Sequence, residues 1–421
     1  MAPNSVATRP KGDMNSTAAA SSKSFSYLGH LAAEIHICIA QNLGKEDLRS
    51  LRRVSRALAE DTFDVFAEKN FKHVSYYFTT QSLGRLRDIS ATPQFARYVE
   101  SIALCAESTR KTELSWPDFI PEIVTNEKAS QLLDVGPGRA REAADILLRD
   151  IFSKFARCGS ARCLRLSTTE EFFVPALHAV SIALNASGHI IEELHCYTYD
   201  RFTPALEALV RAHYRDLNYI AASEFPDVVA DAWSKLRTLQ VYHQARGEFW
   251  HQVGAALHSL IYAASNIEEL TLQVPLGRFH EDIGQAITPM HSVRMLKLLG
   301  PEQDVQFGDV QMTAMLSNVQ HTLEILMLED IKITDGHWKN ILEWVSNAMN
   351  LSNLSCQNLQ AVPPPFAVSW VLLDGHGKSR FEMIGSAEEV KERLAEVIAQ
   401  GRYRFELEID LPEWPDEEEG L

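Results

Sequence analysis

The chain has 421 residues, 46% hydrophobic and 23% charged, a globular composition with room for more than one core. Its formal net charge of -16 disfavours a broad nucleic-acid surface, because phosphate binding needs a basic patch to release counterions. Six cysteines are scattered, and only Cys158 and Cys163 approach a metal-ligand spacing, so reduced structural thiols and no bound metal are expected.

In chain order, residues 1–24 form a Ser-, Ala- and Thr-rich arm that buries too little to order itself. The arm has no apolar core of the kind a secretory signal needs, and no later run approaches a membrane span. The expectation is a soluble protein of the cytoplasm, the nucleus or both, with no membrane partner.

From Leu28 to Phe66 the apolar residues fall on helical faces. Leu31, Ile35, Ile39 and Leu43 recur at four, lining one stripe of a first helix that Gly44 is expected to cap. Leu48, Leu51, Val54 and Leu58 form the stripe of a second helix, with Arg49, Arg52, Arg53 and Arg56 turned to water. Phe63 and Phe66 begin a third. Some forty residues bury little surface alone, so these helices need each other or a partner.

The same string resembles an F-box. Leu31, Glu34, Ile35, Ile39, Leu43, Asp47, Leu48, Leu51, Arg52, Val54, Ser55, Arg56 and Leu58 match that family's pattern in order and spacing. Ala32 stands where the family usually has proline, which fixes φ at the first helical turn. The resemblance implies contact with a Skp-family adaptor, and through it a cullin scaffold, by Leu31, Ile35, Ile39, Leu43, Leu48, Leu51 and Val54. Some of these seven must instead hold the helices together.

Residues 70–104 predict a strand over His73–Phe78, a helix over Ser82–Ser90, a break at Pro93 before another helix, and the apolar pair Ile102 and Leu104. This order of segments resembles the region after the box in fungal F-box proteins.

Beyond it a short unit repeats: an apolar or small residue, two variable positions, leucine, one variable position, a second apolar residue. Its key leucines are Leu164, Leu194, Leu239, Leu270, Leu296, Leu326 and Leu354, separated by 30, 45, 31, 26, 30 and 28 residues. Ile102 lies 62 residues before Leu164, near twice the common step. Helical runs fill the intervals at Ala140–Phe155, Phe249–Ala264 and Trp338–Val345, the last with Asp335 as its expected cap. This pattern implies parallel strands with returning helices, and the expected fold is an irregular leucine-rich-repeat-like α/β solenoid over 71–362 behind a helical module at 25–70.

In such a fold the leucine and the apolar residue two later point inward, so their neighbours face the open side. The best candidates for holding a protein target are Arg165, His195, Tyr197, Gln240, Tyr242, Gln273, Lys297, Met327 and Glu329, with Ser167, Thr271, Leu299, Ser355 and Gln357 on the same face. Aromatic, amide and charged groups mix there, and no acid and base recur at neighbouring positions, which points to recognition rather than catalysis.

Two glycine-rich strings invite nucleotide readings. The run from Leu132 to Ala140, LLDVGPGRA, resembles the first motif of adenosylmethionine-dependent methyltransferases, but the polar TNEKASQ precedes it where a buried strand is required. In LLDGHGKS, Leu372 to Ser379, the glycine spacing is wrong for a phosphate loop, and a hairpin-like turn is expected. His195 and Cys196 are adjacent and so point to opposite faces of a strand. No metal site, cofactor or nucleophile elbow is expected.

Residues 363–410 read as a terminal cap: prolines 363–365, strands at Ser369–Leu373 and Arg380–Ile384, a helix at Ala387–Gln400 and a last strand from Tyr403. An acidic tail occupies 411–421. With the box, the resemblance implies the substrate-recognition subunit of a Skp/cullin/F-box ubiquitin ligase, a protein-binding part rather than an enzyme. A non-ligase scaffold, or an adenosylmethionine-binding enzyme built on the LLDVGPGRA loop, stands as the alternative.

Overall fold

The computed structural model describes residues 28, 31–78, 80–105, 137–199, 231–243, 250–273, 291–300, 307–361, 368–373, 379–400 and 402–407. The N-terminal arm, prolines 363–365 and the acidic tail fall outside them. The chain divides into two compact units, one up to Lys69 and one from Asn70. No helix among the described residues is long and apolar enough to cross a membrane.

The first unit is built from α1 (Ala33–Asn42), α2 (Lys45–Arg52), α3 (Arg56–Asp61) and all but the last two residues of α4 (Phe63–Phe71). The expected second helix is thus two helices. The break falls at Ser55, whose extended backbone lets its hydroxyl accept the Leu58 N–H at 3.2 Å and cap α3. Gly44 has φ -66° and ψ 167°, so it begins α2 rather than capping α1. The end of α1 is closed by Lys69, whose ammonium donates to the carbonyls of Ala40, Gln41 and Leu43 at 3.2, 2.7 and 2.7 Å. Nor does Arg52 stand in water: its guanidinium is half-buried and lies 4.3 Å from the Phe66 ring centroid.

In the second unit ten strands form one sheet: β1 (His73–Tyr77), β2 (Ser101–Cys105), β3 (Cys163–Thr169), β4 (Glu193–Tyr199), β5 (Thr238–His243), β6 (Glu269–Gln273), β7 (Met295–Leu299), β9 (Ile325–Glu329), β11 (Asn353–Gln357) and β14 (Arg380–Ile384). They lie in that order and are parallel except β14, which runs antiparallel beside β11. Each repeat leucine pairs with the next in register, from Ile102 through Leu164, Leu194, Leu239, Leu270, Leu296 and Leu326 to Leu354. Every one is buried, as is the row two residues on, Leu104, Leu166, Cys196, Val241, Leu272, Leu298, Leu328 and Cys356. At about 1.5–3 kcal/mol per buried aliphatic side chain, this double row is the spine of the core.

Helices bury their apolar faces against that spine. They are α5 (Thr80–Ser90), α6 (Pro93–Ala96), α7 (Pro137–Cys158), α8 (Glu170–Ser187), α9 (Trp250–Ala263), α10 (Asp309–Ser317), α11 (Trp338–Ala348) and α12 (Ala387–Gln400). Contacts run α5 to α7 to α8 to α9, and α10 to α11 to α12, as short crossovers between neighbouring strands require. Gly159 and Gly188, both at φ 65°, stop α7 and α8 in the left-handed region where a side chain would be strained. His337, not Asp335, occupies the N-cap of α11, because Asp335 belongs to a strand.

That strand is part of a second sheet absent from the sequence expectation, ordered β15 (Arg402–Leu407), β13 (Val368–Leu373), β12 (Gln360–Ala361), β10 (Lys332–Asp335), β8 (Phe307–Gly308). Asp330 and Asn358, at φ 56° and 49°, turn the chain from β9 into β10 and from β11 into β12. Aspartate and asparagine tolerate this conformation best among residues with a side chain. Asn358 Nδ2 also donates to Asp330 Oδ1 at 2.8 Å, tying the two turns together. The strands flanking LLDGHGKS form no hairpin: β13 pairs with β12 and β15, and β14 with β11.

At the N-terminal ends of the sheet strands a charge ladder runs across the fold. Two residues before the inward residue of each strand from β1 to β9 stand Lys72, Glu100, Arg162, Glu192, Arg237, Glu268, Arg294 and Glu324, strictly alternating in sign, and the row ends at Ser352 on β11. Lys72–Glu100, Arg162–Glu192, Arg237–Glu268 and Arg294–Glu324 are ion-paired. The backbone repeats as well. The Arg237 carbonyl accepts from Glu268 and Glu269, and the Arg294 carbonyl from Glu324 and Ile325.

Candidate functional site

Strand pleating turns alternate side chains to opposite faces, so the face away from the helices is written by the positions between the leucines. The pairing joins Arg165, His195, Gln240, Thr271, Lys297, Met327 and Ser355 in one row. Two residues on, Ser167, Tyr197, Tyr242, Gln273, Leu299, Glu329 and Gln357 form a second. All nine target-binding candidates therefore share one face of one sheet, and each is half-buried. Thr271 and Ser355 are buried.

Neighbours along these rows have made specific pairs. The Tyr197 and Tyr242 rings stack at 4.8 Å with 7° between planes, an apolar shelf whose hydroxyls remain polar. Burial, with the Glu329 carboxylate acting in the same sense, raises the Tyr242 phenol above its ordinary value, so it is a neutral donor near pH 7. Lys297 Nζ and Glu329 lie 3.0 Å apart on adjacent strands, and both are largely shielded. The face thus carries stacked aromatic surface on β4 and β5 and a fixed ion pair on β7 and β9.

The β3–β4 end is chemically different. Cys163 stands opposite Glu193, and His195 comes two residues later on the same face, with Cys196 turned into the core as the alternation requires. The Cys163 sulfur, a Glu193 carboxylate oxygen and an imidazole nitrogen of His195 all lie within 4.8 Å of one another. Burial, helped by the Arg165 charge, lowers the imidazole to about 4, so His195 is neutral. Burial, with the Glu193 charge acting in the same sense, raises the Cys163 thiol above its ordinary value, against hydrogen bonds from Ser101 and Arg165. Sequence reasoning noted Cys163 only for its spacing to Cys158, expected no metal site and missed this cluster, because Cys163 sits thirty residues before Glu193 and meets it only through strand register.

In the first unit the seven adaptor candidates separate by exposure. Leu48 is fully buried, and a side chain inside the unit holds helices together rather than meeting an adaptor. Ile39, Leu43 and Leu51 are half-buried. Leu31, Ile35 and Val54 are exposed at 41%, 46% and 58%. The inner side of α1 is instead His36 and Ala40. His36 Nδ1 is 2.7 Å from Asp61 and Nε2 is 2.6 Å from the Leu28 carbonyl.

The glycine motif at 132–140 falls outside the described residues up to Gly136, and α7 begins at Pro137. Among comparisons with known proteins, no family model matches this chain and no curated protein matches it.

Proposed function

We propose that this chain is a substrate receptor in which an F-box-like helical unit engages a Skp-family adaptor, and thereby a cullin scaffold, while a leucine-rich-repeat-like sheet face holds a protein target. One observation carries the reading: the first unit leaves Leu31, Ile35 and Val54 exposed at positions where the F-box pattern meets its adaptor. Large aliphatic groups left in water on so small a unit favour a partner that covers them. The outer sheet face supports the second half of the reading, since its stacked tyrosines and fixed ion pair suit a polypeptide. Such a receptor forms and breaks no bond. Holding a target near a charged ubiquitin carrier makes their encounter intramolecular, so effective concentration supplies the rate.

The test is co-purification of the full chain with a Skp-family adaptor, beside Ile35→Asp. Ile35 is nearly half exposed in the free chain, so aspartate there spares the fold. A stoichiometric wild-type complex is expected, weakened about tenfold or more in the variant, as for a residue central to an interface. A folded wild-type chain that forms no complex, or a variant that binds equally well, overturns the reading.

A further inference from the structure

We propose that Cys163, Glu193 and His195 form a binding site for a divalent metal ion of the zinc class. The site stands on the geometry of β3 and β4 and does not depend on the receptor reading. The strand register places Cys163 directly across from Glu193, and the pleat brings His195 to the same face. One ligand atom from each lies within 4.8 Å of the other two, and His195 Nε2 is already 3.9 Å from Glu193 Oε2. A tetrahedral ion with bonds of about 2.0–2.3 Å holds its ligands roughly 3.5 Å apart, so closure takes about 1 Å of side-chain rotation. Glu193, with its side chain 54% exposed, is free to supply that movement.

A second observation concerns His195. Among the described residues its buried Nε2 has no hydrogen-bond partner. A buried polar atom without a partner loses its hydration and regains nothing, which a metal bond would offset. Charge closes as well. A thiolate and a carboxylate neutralise a divalent ion, leaving the single Arg165 cation beside a neutral centre.

The ligand types select the metal. Sulfur and imidazole nitrogen suit zinc and cobalt, whereas magnesium and calcium seek oxygen alone. Three protein ligands leave a fourth position open on the solvent side of the sheet, for water or for a carboxylate or imidazole of a bound chain. An ion there would make one end of the candidate binding face electrophilic.

The experiment titrates cobalt(II), then zinc(II), into the tag-free full chain, reduced and stripped with a chelator. The readouts are the thiolate-to-cobalt charge-transfer band and calorimetric affinity. One equivalent should bind with a thiolate band that zinc displaces. Cys163→Ser should abolish the band, His195→Ala and the exposed Glu193→Gln should each weaken binding about tenfold or more, and Cys38→Ser should change nothing. Because Glu193 is surface-exposed, its variant keeps the test decisive if either of the others fails to fold. Absence of a thiolate band in wild type, a band that survives Cys163→Ser, or affinity unchanged in Glu193→Gln overturns the proposal.

Discussion

Reversing one rung of the charge ladder, Arg237→Glu, measures how far the ladder stabilises the sheet. Arg237 is ion-paired to Glu268 at 4.0 Å and stands between Glu192 and Glu268 in the row, so the change sets three carboxylates side by side. Unit charges about 6 Å apart in water interact by roughly 0.7 kcal/mol. The side chains are 64% and 48% exposed, so solvent and salt screen much of this. Two attractions exchanged for two repulsions then cost about 1–2 kcal/mol at low salt. The backbone contribution is untouched, since the bonds accepted by residue 237 come from its carbonyl. Urea, being uncharged, is the denaturant to use, with the midpoint compared at low salt and at about 1 M, where the Debye length falls to about 3 Å. The deficit should nearly vanish at high salt, and Arg237→Gln should show about half of it at low salt. An equal deficit at both salt concentrations would refute the electrostatic argument and assign the effect to the arginine's apolar stem.

Two further outcomes rest on local geometry. Gly300→Ala should destabilise the second unit by about 1–3 kcal/mol in urea unfolding, because a Cβ there would meet the Asp330 carbonyl oxygen at 1.8 Å; an unchanged midpoint would show that the β9–β10 turn yields easily. His36 faces two acceptors, the Asp61 carboxylate and the Leu28 carbonyl, and only the doubly protonated ring can donate to both. Those bonds raise its folded pKa above the ordinary value near 6.5, so their stabilisation is complete below that value and is lost as pH rises through the folded one. Amide protection of α1 should therefore fall across that window and become flat in His36→Gln; protection that climbs with pH in the wild type would contradict the assignment.

The leucine rows were legible in the sequence because each strand contributes the same two inward positions, so a short unit survives however the intervals vary. Direction was less legible. Periodicity identifies an apolar stripe on α1 but not whether water or protein faces it, and here His36 and Ala40 take the inside while Ile35 stays out. The second sheet escaped because β8, β10 and β12 are two to four residues long, below what alternation can register. Its signal lay elsewhere, in Asp330 and Asn358, each just past a repeat strand and each of a residue type that accepts left-handed backbone. The charge ladder was equally open to reading, once residues two before each leucine are written in a column.

The same regularity bears on function. Twelve of the sixteen positions in the two inward rows are leucine and carry little information, so what distinguishes this chain is written chiefly on the outward positions. Strand register makes those positions act in neighbouring pairs: Tyr197 with Tyr242, Lys297 with Glu329, Cys163 with Glu193. Adjacent strands lie about 4.8 Å apart, close enough for ring stacking, an ion pair or a shared metal. If this face holds a target as proposed, its unit of recognition is the cross-strand pair, whose members are separated in sequence by a whole repeat. Substituting either partner strands the other half-buried, so a binding defect from Lys297→Ala should largely coincide with that from Glu329→Ala rather than add to it.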